Sequence, residues 1–135
     1  MKQSLILILI LILISLLLLS SPVIGNSHKS ETLYLWETSD GEVWEGFGEK
    51  DTNPKYQGEV ENGVPNGFGY LILPKGGNYV GEWDNGLWNG QGTYTTSYGT
   101  KYEGSWKNGS VWNGTEYDPN GKILYKYVNG KMIKQ

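Results

Sequence analysis

Between positions 37 and 51 the sequence places six carboxylates: Glu37, Asp40, Glu42, Glu45, Glu49 and Asp51. Two such groups held ~5–9.5 Å apart can share acid and base work at a glycosidic bond. Here they flank turn signals and fall on the outward side of short strand-like runs, where a solvated charged edge is the simpler account. Asp118-Pro119-Asn120-Gly121 has the opening of a calcium loop without its remaining oxygen ligands, and reads as a Pro-Asn-Gly turn. Asn108-Gly-Ser and Asn113-Gly-Thr fit glycosylation acceptors. Both asparagines also have turn or repeat positions, so we read the sequons as coincidental. Gly90-Gln91-Gly92 is not a phosphate loop, because no helix follows it.

The single histidine, His28, has no nucleophile or ligand set beside it, and reads as a tail residue. The absence of cysteine excludes disulfides, thiolate zinc sites and cysteine nucleophiles. All eleven basic residues are lysine, so no guanidinium is present to clamp phosphate or carboxylate in two-point fashion. With a net charge of −3, this argues against a nucleic-acid partner. We therefore expect no catalytic residue, no cofactor and no metal site.

Residues 1–25 form a leader: Lys2, an apolar run from Leu5 to Leu19 broken at Ser15, then Val23 and Gly25 placed for cleavage before Asn26. At ~1.5 Å per residue the run spans ~22 Å, short of a ~30 Å hydrocarbon core, which favours a cleaved secretory signal. An anchor through residues 5–24 is the alternative. Residues 26–33 read as a linker. Losing Lys2 with the leader leaves ten lysines against fourteen acids, a balance of −4.

Positioning falls to a repeat. "YQGEVENGVPNGFGYL" from Tyr56, "YVGEWDNGLWNGQGTY" from Tyr79 and "YEGSWKNGSVWNGTEY" from Tyr102 are versions of one unit. A worn copy starts at Tyr34 and a truncated one at Tyr125, so the tyrosines stand 22, 23, 23 and 23 residues apart. Such a period marks a solenoid or array. Asn62-Gly63, Asn85-Gly86 and Asn108-Gly109, with Asp40-Gly41 in the worn copy, signal two-residue hairpin turns. A turn at Asn85-Gly86 predicts Trp83 opposite Trp88, Gly81 opposite Gly90 and Tyr79 opposite Gly92. Strand alternation then puts Tyr79, Gly81, Trp83, Trp88, Gly90, Gly92 and Tyr94 on one packed face. The glycines leave room for rings lying across neighbouring strands. Gly41–Gly46 and Gly109–Gly114 are one residue longer than Gly63–Gly67 and Gly86–Gly90, which predicts β-bulges in those two units.

These residues resemble the MORN repeat, with its Tyr-x-Gly-Glu-Trp, Asn-Gly and Gly-x-Gly signature at about 23 residues. Tyr79, Gly81, Glu82, Trp83, Asn85, Gly86, Gly90 and Gly92 carry it in full. Tyr56, Gly58, Glu59, Asn62, Gly63, Gly67 and Gly69 carry it with Val60 for tryptophan. Tyr102, Gly104, Trp106, Asn108, Gly109 and Gly114 carry it with Ser105 for glutamate. The resemblance covers residues 34–132 and implies an all-β, elongated single sheet of hairpins over residues 34–135. It also implies use in protein contact, self-association or membrane-associated scaffolding. Phospholipid binding belongs to the same expectation, although phosphoinositide recognition sits poorly with a chain lacking arginine.

Charge is graded along the array. Residues 31–61 hold nine acids and two lysines, a balance of −7, whereas Lys122, Lys126, Lys131 and Lys134 follow Asp118 with no acid. The gradient is read either as drift among solvated residues or as steering for head-to-tail or partner docking. Trp44, Trp88 and Trp112 follow the turns and stand apart from the Tyr-x-Gly-x-Trp core, which makes them candidate binding residues together with the four lysines. The favoured expectation is an exported, non-catalytic module that binds a protein or itself. The alternative is a cell-envelope carbohydrate or membrane-lipid binder, using ring stacking or the lysine tail.

Overall fold

The computed structural model describes residues 29–134. The leader expectation, on residues 1–25, lies outside the described residues. Ten strands follow in chain order: β1 Ser30–Thr38, β2 Gly41–Glu45, β3 Lys55–Glu61, β4 Val64–Ile72, β5 Gly77–Asp84, β6 Leu87–Thr96, β7 Lys101–Lys107, β8 Ser110–Tyr117, β9 Ile123–Val128 and β10 Lys131–Lys134. They form one antiparallel sheet in the order β10-β9-β8-β7-β6-β5-β4-β3-β1-β2. The array of hairpins read from the repeat is therefore present. β1 begins inside the segment read as a linker, since Ser30–Tyr34 pair with β3 before Tyr34–Thr38 pair with β2.

The Asn-Gly turns have the backbone that their sequence demands. Asn62, Asn85, Asn108 and Asn129 have φ of 51°, 49°, 48° and 50°, each followed by a glycine with positive φ. That is the type I′ turn whose twist suits a two-residue hairpin. In the worn copy the loop is Ser39-Asp40, closed by Thr38 opposite Gly41, and not Asp40-Gly41.

The packed face is built on a row of glycines. Gly58, Gly69, Gly81, Gly92, Gly104 and Gly114 stand opposite one another on six consecutive strands. Tyr56, Tyr79 and Tyr102 lie back along their own strands over this row. Their hydroxyls donate to the carbonyls of Glu59, Glu82 and Ser105 at 2.6, 2.9 and 2.9 Å. A Cβ on Gly69 or Gly92 would overlap the ring of Tyr56 or Tyr79, which is why no larger residue fits there. The rings and Trp83, Trp106, Leu33 and Leu71 form the core of a sheet that no second layer covers among the described residues.

The register corrects the sequence reading. Trp83 does face Trp88, but Gly81 faces Gly92 and Tyr79 faces Tyr94. Between those pairs β6 has two more residues than β5, a bulge of three residues against one, and β4 has the same bulge against β3. Gly67 and Gly90 sit inside these bulges at φ of 103° and 94°. They therefore do not belong to the row; a Cβ on either would strike the carboxylate of Glu59 or Glu82. Those carboxylates hold the bulges, accepting from the backbone N–H of Phe68 at 2.6 Å and of Gln91. The β1–β2 hairpin pairs without a bulge, contrary to expectation. The β7–β8 hairpin is bulged, but by one residue. Gly114 occupies the row position of Gly92, so that unit is shortened from turn to row glycine, not lengthened. Ser105 stands there in place of glutamate, and its hydroxyl takes the N–H of Asn113 at 3.1 Å. A shorter side chain accompanies a smaller bulge.

Successive units are fastened at the turns. The N–H groups of Asn85, Asn108 and Asn129 donate to the side-chain oxygens of Asn66, Asn89 and Asn113 at 3.1, 3.2 and 2.7 Å. The adjoining Gly86, Gly109 and Gly130 donate to the carbonyls of Pro65, Trp88 and Trp112, each at 2.8 Å. Asp118 closes the β8–β9 turn by accepting from Asn120 and Lys122 at 2.9 Å, as a Pro-Asn-Gly turn requires.

Candidate functional site

The candidate tryptophans divide. Trp88 stacks on Tyr79 with centroids 4.3 Å apart and meets Trp83 and Trp106 edge-on. Trp44 reaches across from β2 to meet Tyr56 and Trp83 edge-on at 5.9 Å. Both are half-buried, so each gives part of its ring to the core and part to the surface. Trp112 is apart from them, in the β7–β8 bulge, with the Lys107 ammonium 4.6 Å from its ring centroid and Gly130 against its edge.

Trp44 and Trp88, with Trp83, line one cleft of about 410 Å³. Leu35, Leu71, Leu73 and Pro54 complete its apolar wall. Glu37 and Glu42 stand on its rim, directly opposite each other across β1 and β2. These two carboxylates are thus on the packed side of the sheet, not on its outward side as the sequence suggested. The reason is that Leu33, and not Tyr34, stands opposite Tyr56, so alternation along β1 brings Leu35 and Glu37 to the packed face, and the β1–β2 register brings Trp44 and Glu42 there with them. Like charges directly opposed destabilise a strand pair. Neither takes part in the salt bridges among the described residues, which are Lys29–Glu31 and Lys101–Glu103. Trp83 Nε1 is buried without a hydrogen-bond partner. Asp40, Glu45, Glu49 and Asp51 are exposed and do not join the cleft.

The lysines form no part of this cleft. Lys122 lies in the β8–β9 turn, Lys126 on β9 and Lys131 on β10, all exposed at the opposite end of the sheet. Lys134 ends β10, opposite Tyr125 in register. Near that end Tyr127 donates to Glu116 at 2.6 Å. Burial, then the hydrogen bond and the charge of Glu116, push its phenol up to about 12. Tyr56, Tyr79 and Tyr102 are also raised, chiefly by burial.

The fastening role of several residues was not read from sequence. Asn66, Asn89 and Asn113 recur before a glycine in every central unit, and that recurrence was the available signal for the inter-unit fastening. Glu59 and Glu82 were visible in the repeat, but their role as bulge holders was not. Among the described residues no three His, Cys, Asp or Glu side chains gather as a metal site.

No curated protein matches the sequence. The MORN repeat family model matches three consecutive segments, residues 56–78, 79–100 and 102–110. Proteins built of this repeat are generally non-catalytic and engage proteins or membrane lipids. The matched segments fall within the three units whose tyrosines, row glycines and Asn-Gly turns share one geometry, so residues 56–110 are similar to MORN repeats in sequence and in build.

Proposed function

We propose that the chain is an exported, non-catalytic interaction module that binds a protein partner, or itself, through the ends and edges of its sheet. The observation that carries this reading is the pair of open edge strands at oppositely charged ends. β2, in the acidic first third, and β10, in the basic last segment, each pair on one side only among the described residues. Unpaired strand edges are ready-made templates for another chain. The Tyr and Trp rings are committed mainly to packing, which leaves edges and ends as the adhesive parts. Export rests on the pattern of residues 1–25, with anchoring through residues 5–24 as the other outcome.

Recovery of the native protein from its own cells under gentle extraction, followed by mass spectrometry, tests the reading. A stoichiometric protein companion, or multimers of the chain alone, is the expected result. Recovery with glycan or lipid only would overturn it. That result would favour the second reading, in which the cleft of Trp44 and Trp88 stacks on a sugar while Glu37 and Glu42 accept from its hydroxyls. Membrane-lipid contact through Lys122, Lys126, Lys131 and Lys134 belongs to the same outcome.

A further inference from the structure

The two open edges are complementary to each other. β2 reads Glu42-Val43-Trp44-Glu45, and β10 reads Lys131-Met132-Ile133-Lys134. We propose that the partner of β2 is β10 of a second copy, added antiparallel with Glu45 opposite Lys131, Trp44 opposite Met132, Val43 opposite Ile133 and Glu42 opposite Lys134. This inference rests on the interaction-module reading and specifies its occupant.

Three features of the sheet select that register. Strand direction comes first. Along the sheet every neighbour is antiparallel, and counting from β2 to β10 leaves the two edges pointing opposite ways. A second copy placed beside the first without being turned over therefore presents β10 antiparallel to β2. Facing comes second. Trp44 lies on the packed face, and Met132 stands opposite Tyr127, whose ring packs on Tyr102 on that same face. The register thus joins packed face to packed face, and leaves Val43, Glu45, Lys131 and Ile133 together on the other. Chemistry comes third. Each charged position meets its opposite, and Val43, Met132 and Ile133 are exposed apolar residues that the contact covers.

The same sequences disfavour the two-fold alternatives. In an antiparallel pairing of β2 with another β2 the only charged groups are carboxylates, and in β10 with β10 the only ones are lysines, so neither arrangement gives a charge its opposite. In addition, Glu42 already faces Glu37 with no cation bound to either among the described residues, and the proposed register brings Lys134 of the next copy to its strand position. A contact between two different edges is not closed by symmetry, so copies add in a row.

The absence of cysteine makes the test clean. Full-length Val43→Cys and Ile133→Cys chains, held in a mild detergent, would be oxidised separately and as a mixture. Both positions are exposed, so neither change disturbs the core. Opposite residues of an antiparallel pair lie close enough for a disulfide. We expect a covalent dimer in the mixture, little in either single variant, and a ladder of multimers from the doubly substituted chain. Glu45→Lys and Lys131→Glu should each weaken association several-fold in sedimentation, and mixing the two should restore it. Dimers from Val43→Cys alone, or monomer in every mixture, would overturn the proposal. If a different protein accompanies the native chain while no 43–133 bond forms, this inference fails and the module reading stands. If glycan or lipid alone accompanies it, both fail.

Discussion

Replacing Gly69 by alanine isolates the reason for the glycine row. The position has no positive φ, so the backbone itself accepts alanine, and any cost must come from the space above it. That space is the ring of Tyr56, which is fully buried. Exposing a whole tyrosine at ~25 cal/mol per Å² over roughly 150–250 Å² would cost about 4–6 kcal/mol, an upper bound. Losing the hydroxyl bond to the Glu59 carbonyl adds about 1 kcal/mol. The stiffer unfolded chain returns about 0.4–1 kcal/mol. With the ring displaced about halfway, Gly69→Ala should destabilise by roughly 3 kcal/mol. Gly46→Ala is the control, because Gly46 has neither a positive φ nor an atom within 4 Å of the added carbon. It should be neutral or slightly stabilising. Urea unfolding followed by tryptophan fluorescence reads both, and repeating Gly69→Ala in a Tyr56→Ala background should remove most of its cost. If Gly69→Ala falls within about 1 kcal/mol of the control, or costs as much without the tyrosine, the ring-over-glycine account is wrong.

Two further outcomes follow from the bulges and the phenols. Glu82→Ala removes the carboxylate that holds the N–H of Gln91. Because Glu82 is exposed and water can replace it, we expect a loss near the low end of the range, about 1 kcal/mol, with faster amide exchange at Gln91; unchanged exchange would contradict the bulge-holding role. Alkaline titration should also unfold the array. Tyr56, Tyr79, Tyr102 and Tyr127 have phenols raised above their ordinary value, Tyr127 to about 12. The unfolded chain releases these protons first, so the phenols' contribution to stability is constant below about pH 10 and is lost as pH rises from there towards each folded value. Phenolate absorbance recorded beside circular dichroism checks this. All ten tyrosines ionising near pH 10 in a still-folded chain would refute it.

The parts of this fold that sequence exposed are those fixed by local backbone chemistry. Asn85-Gly86 and its equivalents need positive φ, and Tyr79 two residues before Gly81 needs an empty site beneath its ring; both are visible in a single unit. The register was misread because strict alternation treats Gly90 and Gly92 as a same-face pair. The positive φ of Gly90 breaks that alternation, and Glu82, which looks like an ordinary solvated acid, is what holds the break in place. Glu37 and Glu42 were misplaced because the worn unit was aligned on Tyr34, whereas Leu33 takes the place opposite Tyr56 and turns the alternation of β1 over. The cleft they border was hidden as well, because Trp44, Leu73 and Trp88 come from three different units.

The fastening of the turns gives the ribbon two unequal rims. Along one rim the backbone of Gly86, Gly109 and Gly130 is tied to the preceding unit, so a load applied to one turn passes to the next. Along the other, the backbone bonds of the longer loops close inward: Gly76 to Leu73, Gly99 to Thr96, and Gly121 to Asp118, each at 3.0 Å. Those loops touch their neighbours without such ties, as Gly99 does beside Pro119. The turn rim therefore carries backbone bonds between units beyond the strand ladder, whereas on the loop rim the ladder itself, ending at pairs such as Gly77 and Thr96, is the tie. A long partner lying along the sheet would meet a unit spacing that is doubly set on the turn side and set by the ladder alone on the loop side.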